Sequence, residues 1–298
     1  MLQRTFQQLM NGLKNQMMKH NNNITKSSII TLLIRSIGMV LAALINFYLA
    51  YRFGAALYGE YIYAITILGF IVVLASFGYE SVLVRYVSSY KEEKVFMHLN
   101  GIIRFVCVKG FMIGVGFSVV LVSIVLNINT MSYDLKMLYA ITFLAIPFIT
   151  DSNFRSSILR GYQHTEISIV PETIIFPIFF IAQLAIIYFL MNIDIRPYNL
   201  AIVYLVSYLA SFIFSAYFLH KKRLSDISGI SVQYSFNEWN GMAVPMLAIS
   251  LIHILMNKMD IFLLGILLDS SDVGIYALAA KISEITLLLF DATSLVIL

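Results

Sequence analysis

The sequence predicts an all-α, polytopic membrane protein of about eight transmembrane helices: a six-helix lobe followed by the first two helices of a second lobe. Three observations predict it. Of 298 residues, 60% are hydrophobic and only 12% charged. A soluble domain carries roughly twice that charge fraction, and a folded sphere has too little interior to hide so many apolar side chains. The apolar residues gather into runs long enough to cross about 30 Å of hydrocarbon, which takes roughly 20 residues. The runs also lack the alternation of a membrane β-barrel, as in the uncharged stretch from Gly110 to Tyr133.

The elements follow in order. Residues 1–27 are polar and mildly basic with no apolar run ahead of them, and are expected to form an amphipathic cytoplasmic segment rather than a cleavable signal. Spans are expected near 28–51, 61–83, 102–126, 136–155, 168–191 and 198–219, making an N-terminal lobe over 28–220. A cytoplasmic linker, 221–240, precedes two further spans near 241–267 and 273–298, the start of a C-terminal lobe. Charges or turn residues bound the runs, among them Arg52-Phe53-Gly54, Lys91-Glu92-Glu93-Lys94 and Lys221-Lys222-Arg223.

Basic residues set the direction. With the N-terminus in the cytoplasm, the inside segments hold Arg4, Lys14, Lys19, Lys26, Arg85, Lys91, Lys94, Arg155, Arg160, Lys221, Lys222 and Arg223, and the outside segments only Arg52, Lys136 and Arg196. The asymmetry accounts for the net charge of +4 without nucleic acid. The short loops leave no room for an extramembrane catalytic domain. The single cysteine, Cys107, excludes a disulfide framework. No Walker loop or H-E-x-x-H motif occurs, and the five histidines (His20, His98, His164, His220 and His253) are scattered. An enzyme is therefore not expected.

A repeat is legible. The stretch from span one to span two reads Phe53-Gly-Ala-Ala-Leu-Tyr-Gly-Glu-Tyr61, and that from span seven to span eight reads Leu268-Asp-Ser-Ser-Asp-Val-Gly-Ile-Tyr276. Both place Gly-x-Tyr at the start of an inward-running helix, with Gly59 and Gly274 expected to form tight turns. A separation of six spans is the parity of a parallel duplication. The expectation that follows is a C-terminally truncated copy of a two-lobe protein; the alternative is a complete eight-helix protein.

Four stretches carry a family resemblance: Phe53–Tyr61, Ala75-Ser-Phe-Gly-Tyr-Glu-Ser-Val-Leu-Val-Arg-Tyr86, Phe154-Arg-Ser-Ser-Ile-Leu-Arg-Gly161, and Met259-Asp-Ile-Phe-Leu-Leu-Gly265 with Val273-Gly-Ile-Tyr-Ala-Leu-Ala-Ala-Lys281. Together they resemble the polysaccharide flippases of O-antigen and teichoic-acid type. These belong to the multidrug/oligosaccharidyl-lipid/polysaccharide transporter superfamily. The resemblance implies two six-helix lobes around a central cavity in the bacterial inner (cytoplasmic) membrane. It implies alternating access that carries undecaprenyl-diphosphate-linked oligosaccharide from the cytoplasmic to the periplasmic leaflet. The implied partners are the lipid bilayer, the lipid-linked oligosaccharide and other polysaccharide-assembly proteins. No cofactor is implied beyond coupling to a proton or sodium gradient.

Ionisable groups inside spans are costly and are the site candidates. At about 100° per residue, Arg35 shares a face with Asn46, and Glu172 with Gln183 beside the helix-breaking Pro171 and Pro177. His253, Asn257 and Asp260 share a face from which Lys258 points away, and Lys281, Glu284 and Asp291 share another. Arg35, Asn46, Glu172, Gln183, Lys258 and Lys281 are the candidates for the substrate cavity, with the cations suited to a diphosphate. His253, Asn257, Asp260, Glu284 and Asp291 are candidates for ion coupling or for structural interhelical pairs. Arg35 can also snorkel to water, and Glu172 can be solvated at a span end. A cation-coupled multidrug exporter of the same superfamily, or an inactive remnant, are the competing readings. Arg35, with no acid in its span, favours the flippase over the exporter.

Overall fold

In this computed structural model the described residues are 2–187, 196–222 and 230–297, with side chains described for 27–187, 196–222 and 230–284. The side chains of the N-terminal segment 1–26, and residues 223–229 of the expected linker, lie outside them.

The chain is helical from its first described residue. Helix α1 runs from Leu2 to Ser76 and is broken once, at Gly54, where φ is 78° and ψ 167°. An L side chain resists that backbone, so glycine is the residue that lets the chain reverse here. The break gives α1 two arms, 2–53 and 55–76. Next come α2 (Tyr79–Glu92), α3 (Phe96–Asn127), α4 (Tyr133–Leu144), α5 (Ile146–Gly161) and the single turn α6 (Thr165–Ser168). A π segment, Pro171–Ile175, leads into α7 (Phe176–Ile186). Helices α8 (Pro197–Lys222), α9 (Phe236–Leu267) and α10 (Ser270–Ile297) complete the described chain.

Among the described residues six stretches are long and apolar enough to cross a membrane: Ser27–Ser76, Phe96–Asn127, Tyr133–Gly161, Thr165–Ile186, Pro197–Lys222 and Phe236–Leu267. The first holds two passes because of its break at Gly54. Helix α10, with 28 residues, spans about 42 Å at 1.5 Å per residue and supplies the eighth. The all-α polytopic fold expected from the sequence is the fold observed. Its apolar surface fits a bilayer: Leu33, Ile37, Val40 and Leu44 on α1, and Val108, Met112, Val119 and Val120 on α3, all face outward.

Three local expectations are corrected. The second span is not one straight helix over 61–83. It breaks where Phe77 (φ 49°) and Gly78 (φ 74°) turn left-handed, and α2 leaves at an angle. The fourth span is two helices, α4 and α5, meeting at Ala145. Gly59 and Gly274 are not turns, since both lie inside helices and the reversal falls to Gly54. The two glycines instead let α1 and α10 cross in contact. A Cβ on Gly59 would lie 1.7 Å from the Ser270 carbonyl oxygen, and one on Gly274 would lie 2.1 Å from that of Ala55. The repeated Gly-x-Tyr motifs thus pack against each other. The kink expected from Pro171 and Pro177 takes the form of the π segment, where the two prolines remove backbone donors from the helical ladder.

Two apolar clusters hold the bundle. One surrounds the crossing and runs through Leu49, Tyr58, Leu68, Leu138, Ile146, Phe180 and Leu200. The other, at the opposite end, centres on Trp239, whose side chain is 0% exposed. The Trp239 Nε1–H donates to the Tyr90 hydroxyl at 3.1 Å. Nearby, the Gln233 N–H donates to the Met97 carbonyl at 3.2 Å, and Asn100 Nδ2 donates to the Ile230 carbonyl at 3.1 Å. These bonds strap the start of α9 to α2 and α3.

The crossing predicts that Gly59→Leu forces α1 and α10 apart and destabilises the protein by about 3 kcal/mol or more. Gly116→Leu, at a position with nothing within 4 Å of an added Cβ, serves as the control. Thermal unfolding in detergent should show a lowered Tm for the first variant only.

Candidate functional site

Between the second arm of α1, α2, α5, the π segment, α8 and α9 lies a cavity of about 540 Å³. Its polar lining is contributed helix by helix. Thr66 and Ser76 come from α1, Glu80 from α2, Asn153 from α5, and Glu172 from the π segment. Tyr204 and Tyr208 come from α8, and Ser250, His253, Asn257 and Lys258 from α9. The break at Phe77–Gly78 swings Glu80 into this wall, and the Asn153 Nδ2–H donates to its Oε1 at 3.2 Å. The π segment places Glu172 on the same side. The Tyr204 and Tyr208 rings lie 4.8 Å apart, and Phe176 packs on Tyr208 at 4.5 Å, both at tilted angles, so that wall is an aromatic cluster. On the α9 wall, Asn257 Nδ2 donates to the His253 carbonyl at 2.7 Å.

The charge layout is asymmetric. Two carboxylates, Glu80 and Glu172, stand on the walls built by the first six spans, and Lys258 stands on the α9 wall. Among the described lining residues Lys258 is the one lysine or arginine. Such an arrangement offers hydrogen-bond acceptors and a cation to opposite ends of one solute.

The structure brings together four of the residues singled out in the sequence: Glu172, His253, Asn257 and Lys258. Helical periodicity points Lys258 away from the His253 face. It lies at the edge of the cavity arc, and its long stem reaches in. Four expected cavity residues stand elsewhere. Arg35 is exposed on α1 and lines no part of the cavity. Asn46 is absorbed in packing, donating to the Ala42 carbonyl at 2.7 Å and accepting from the Tyr58 hydroxyl at 2.8 Å. Gln183 donates to the Ser207 Oγ at 2.9 Å and borders a separate pocket of about 160 Å³. Lys281 is ion-paired with Glu284 on its own helix. Asp260 accepts from the Tyr276 hydroxyl at 2.6 Å, and so ties α9 to α10. The side chain of Asp291 lies outside the described residues.

The sequence reading missed Glu80 and Asn153 as lining residues. Glu80 sits inside the stretch Ala75–Tyr86, and its charge next to an apolar run was the available signal. It falls inside the expected span 61–83, and periodicity does not disclose the left-handed break that turns it toward the cavity. Also missed was a buried pair in span four. Asp151, 2% exposed, bonds with Arg155, whose guanidinium lies 5.2 Å from the Phe212 ring centre. That pair neutralises itself between α5 and α8, a structural use of charge.

The family model described as "Polysaccharide biosynthesis protein" matches residues 24–296. Solved structures share the fold at 15% sequence identity. A multidrug resistance MATE family transporter of the MOP superfamily, inward-facing, aligns with a TM-score of 0.62 over 86% of this chain and 61% of its own. A MOP superfamily transporter from Pyrococcus furiosus, described as having a binding pocket of reverse polarity, aligns at 0.59 over 80% and 54%. An outward-facing MATE transporter aligns at 0.58 over 89% and 65%. The chain thus spans less than two thirds of the length of each. No curated protein matches it.

If the cavity is a water-accessible chamber, single cysteines placed in it must react from water. In a Cys107→Ser background, Asn257→Cys should be labelled by a polar maleimide about tenfold faster than Val203→Cys, which faces the packed core. Equal rates measured by mass spectrometry would mean a dry, closed gap.

Proposed function

The chain belongs to the polysaccharide biosynthesis protein family, and from that membership we propose that it is a membrane transporter. Its cargo is undecaprenyl-diphosphate-linked oligosaccharide, moved from the cytoplasmic to the periplasmic leaflet by alternating access. The observation that carries the reading is the family match over residues 24–296, combined with a polar cavity enclosed by the same helices. Orientation follows the basic residues: the N-terminus is cytoplasmic, and the Gly54 end faces the periplasm of a bacterial inner membrane.

Each part of the cargo has a matching surface. The polar head enters the cavity of about 540 Å³, while the polyprenyl tail stays against the apolar outer faces in lipid. The Lys258 ammonium, on the α9 wall, pairs with diphosphate oxygens. Asn153 and Asn257 offer amides to sugar hydroxyls, and the aromatic wall around Tyr204 and Tyr208 offers ring faces. Glu80 and Glu172 take up a proton or sodium ion, and so couple the movement to a gradient or to the membrane potential. The crossing of α1 and α10 closes the periplasmic side in this conformation.

A second reading is favoured by a specific observation. Two carboxylates face the cavity, and the MATE structures share the fold. An organic cation would be drawn to Glu80 and Glu172, which is the chemistry of a drug exporter.

A proteoliposome assay separates the two. Fluorescent undecaprenyl-diphosphate oligosaccharide, loaded in one leaflet, should become accessible to an external lectin only when the protein is present. Lys258→Ala should slow that appearance by about tenfold, the loss expected for one charged contact. Uptake of ethidium with no movement of the glycolipid would make the chain an exporter. Movement of neither would end both readings.

A further inference from the structure

A second concavity opens on the membrane-facing surface, between the first arm of α1 and α7. It encloses about 590 Å³ and shares no lining residue with the central cavity. Its floor is Ile45 and Leu184, 8% and 6% exposed, both part of the apolar core. Leu44, Ile181 and Ala185 form the sides. At the end near Gly54 stand Tyr48, Tyr51 and Arg52, with Tyr51 90% exposed.

We propose that this groove is a binding site for a membrane phospholipid, with its phosphate on Arg52 and an acyl chain along the Ile45–Leu184 floor. The chemistry is divided along the groove as it is in the lipid. From Leu44 to Arg52 the helix advances about 12 Å, from apolar side chains to a guanidinium. Arg52 lies two residues before the break at Gly54, at the end of a span, which is the depth of headgroup phosphates. Its fork of five N–H donors matches a phosphate bidentately, whatever other contact it makes. Tyr48 and Tyr51 flank it as amphipathic rings at the interface. Among the described lining residues none is acidic, and Arg52 carries the one formal charge. The walls are helices rather than loops, and the floor belongs to the packed core. The groove is therefore preformed, and binding needs little reorganisation.

The occupant is a phospholipid and not the polyprenyl-linked cargo, because the groove lies off the polar cavity that the cargo's head would traverse. The bound lipid also fills the gap between α1 and α7 that the described side chains leave open. The choice between the two lipids rests on the proposed function, whereas the match of the groove to a phosphate-headed lipid does not.

The test is native mass spectrometry of the purified full chain with added phosphatidylglycerol. The expected result is one phospholipid per chain that survives delipidation. Arg52→Gln lowers its retention about tenfold, Ala185→Trp removes it by filling the groove, and Lys136→Gln, outside the groove, leaves it unchanged. Three results would overturn the site: retention equal to the parent in both Arg52→Gln and Ala185→Trp, an equal loss in Lys136→Gln, or displacement of the phospholipid by equimolar undecaprenyl monophosphate. The last would assign the groove to the carrier lipid instead.

Discussion

The contact between Gly59 on α1 and Gly274 on α10 is the constraint from which the architecture follows. Two helices approach this closely only where neither carries a Cβ, and here the missing Cβ atoms face each other's backbone carbonyls. The contact fixes the second arm of α1 against α10 and closes one end of the bundle. Trp239 and the strap of Gln233 and Asn100 fix α9 at the other end. Between these anchors the helices separate, and the cavity is the space that remains. In lipid there is no water to satisfy a polar group left outside, so closure at the ends and polarity in the middle are parts of one solution.

The same constraint sorts the charges. Asp151 pairs with Arg155, Lys281 with Glu284, and Asp260 with the Tyr276 hydroxyl, so each is held by a neighbouring side chain. Glu80, Glu172 and Lys258 face the central cavity instead. Among the described residues these charges divide into a paired group and a lining group, while Arg35 stays exposed on α1 and belongs to neither. The carboxylates stand on the six-span lobe and the lysine on α9, so a relative movement of these walls would change the electrostatic field at the centre.

Much of this was legible in the sequence. Composition and run length give the all-α fold and its eight passes, because lipid imposes both directly. Pro171 and Pro177 announce the interruption in span five. The repeat of Gly-x-Tyr is visible as well, but its meaning is not: a glycine suited to a turn and a glycine suited to a crossing look alike until the partner helix is placed. The site is half legible for a similar reason. Periodicity says that Arg35 and Asn46 share a face, or that Glu172 and Gln183 do, but not which face looks inward. Asn46 and Gln183 are consumed by Tyr58 and Ser207, partners distant in sequence. Glu80 stays hidden because the turn at Phe77–Gly78 is set by backbone angles that carry no hydropathy signal.

We propose that the α1–α10 crossing is one closed state of a cavity that opens in alternation. Its most direct test is the distance across the crossing. Spin labels at Ala56→Cys and Asp272→Cys, in a Cys107→Ser background, report it by pulsed electron resonance in liposomes. The account predicts two distance populations, with the longer one gaining weight when lipid-linked oligosaccharide is added. A single short distance, unmoved by any cargo, would make the crossing a permanent seal and contradict the account.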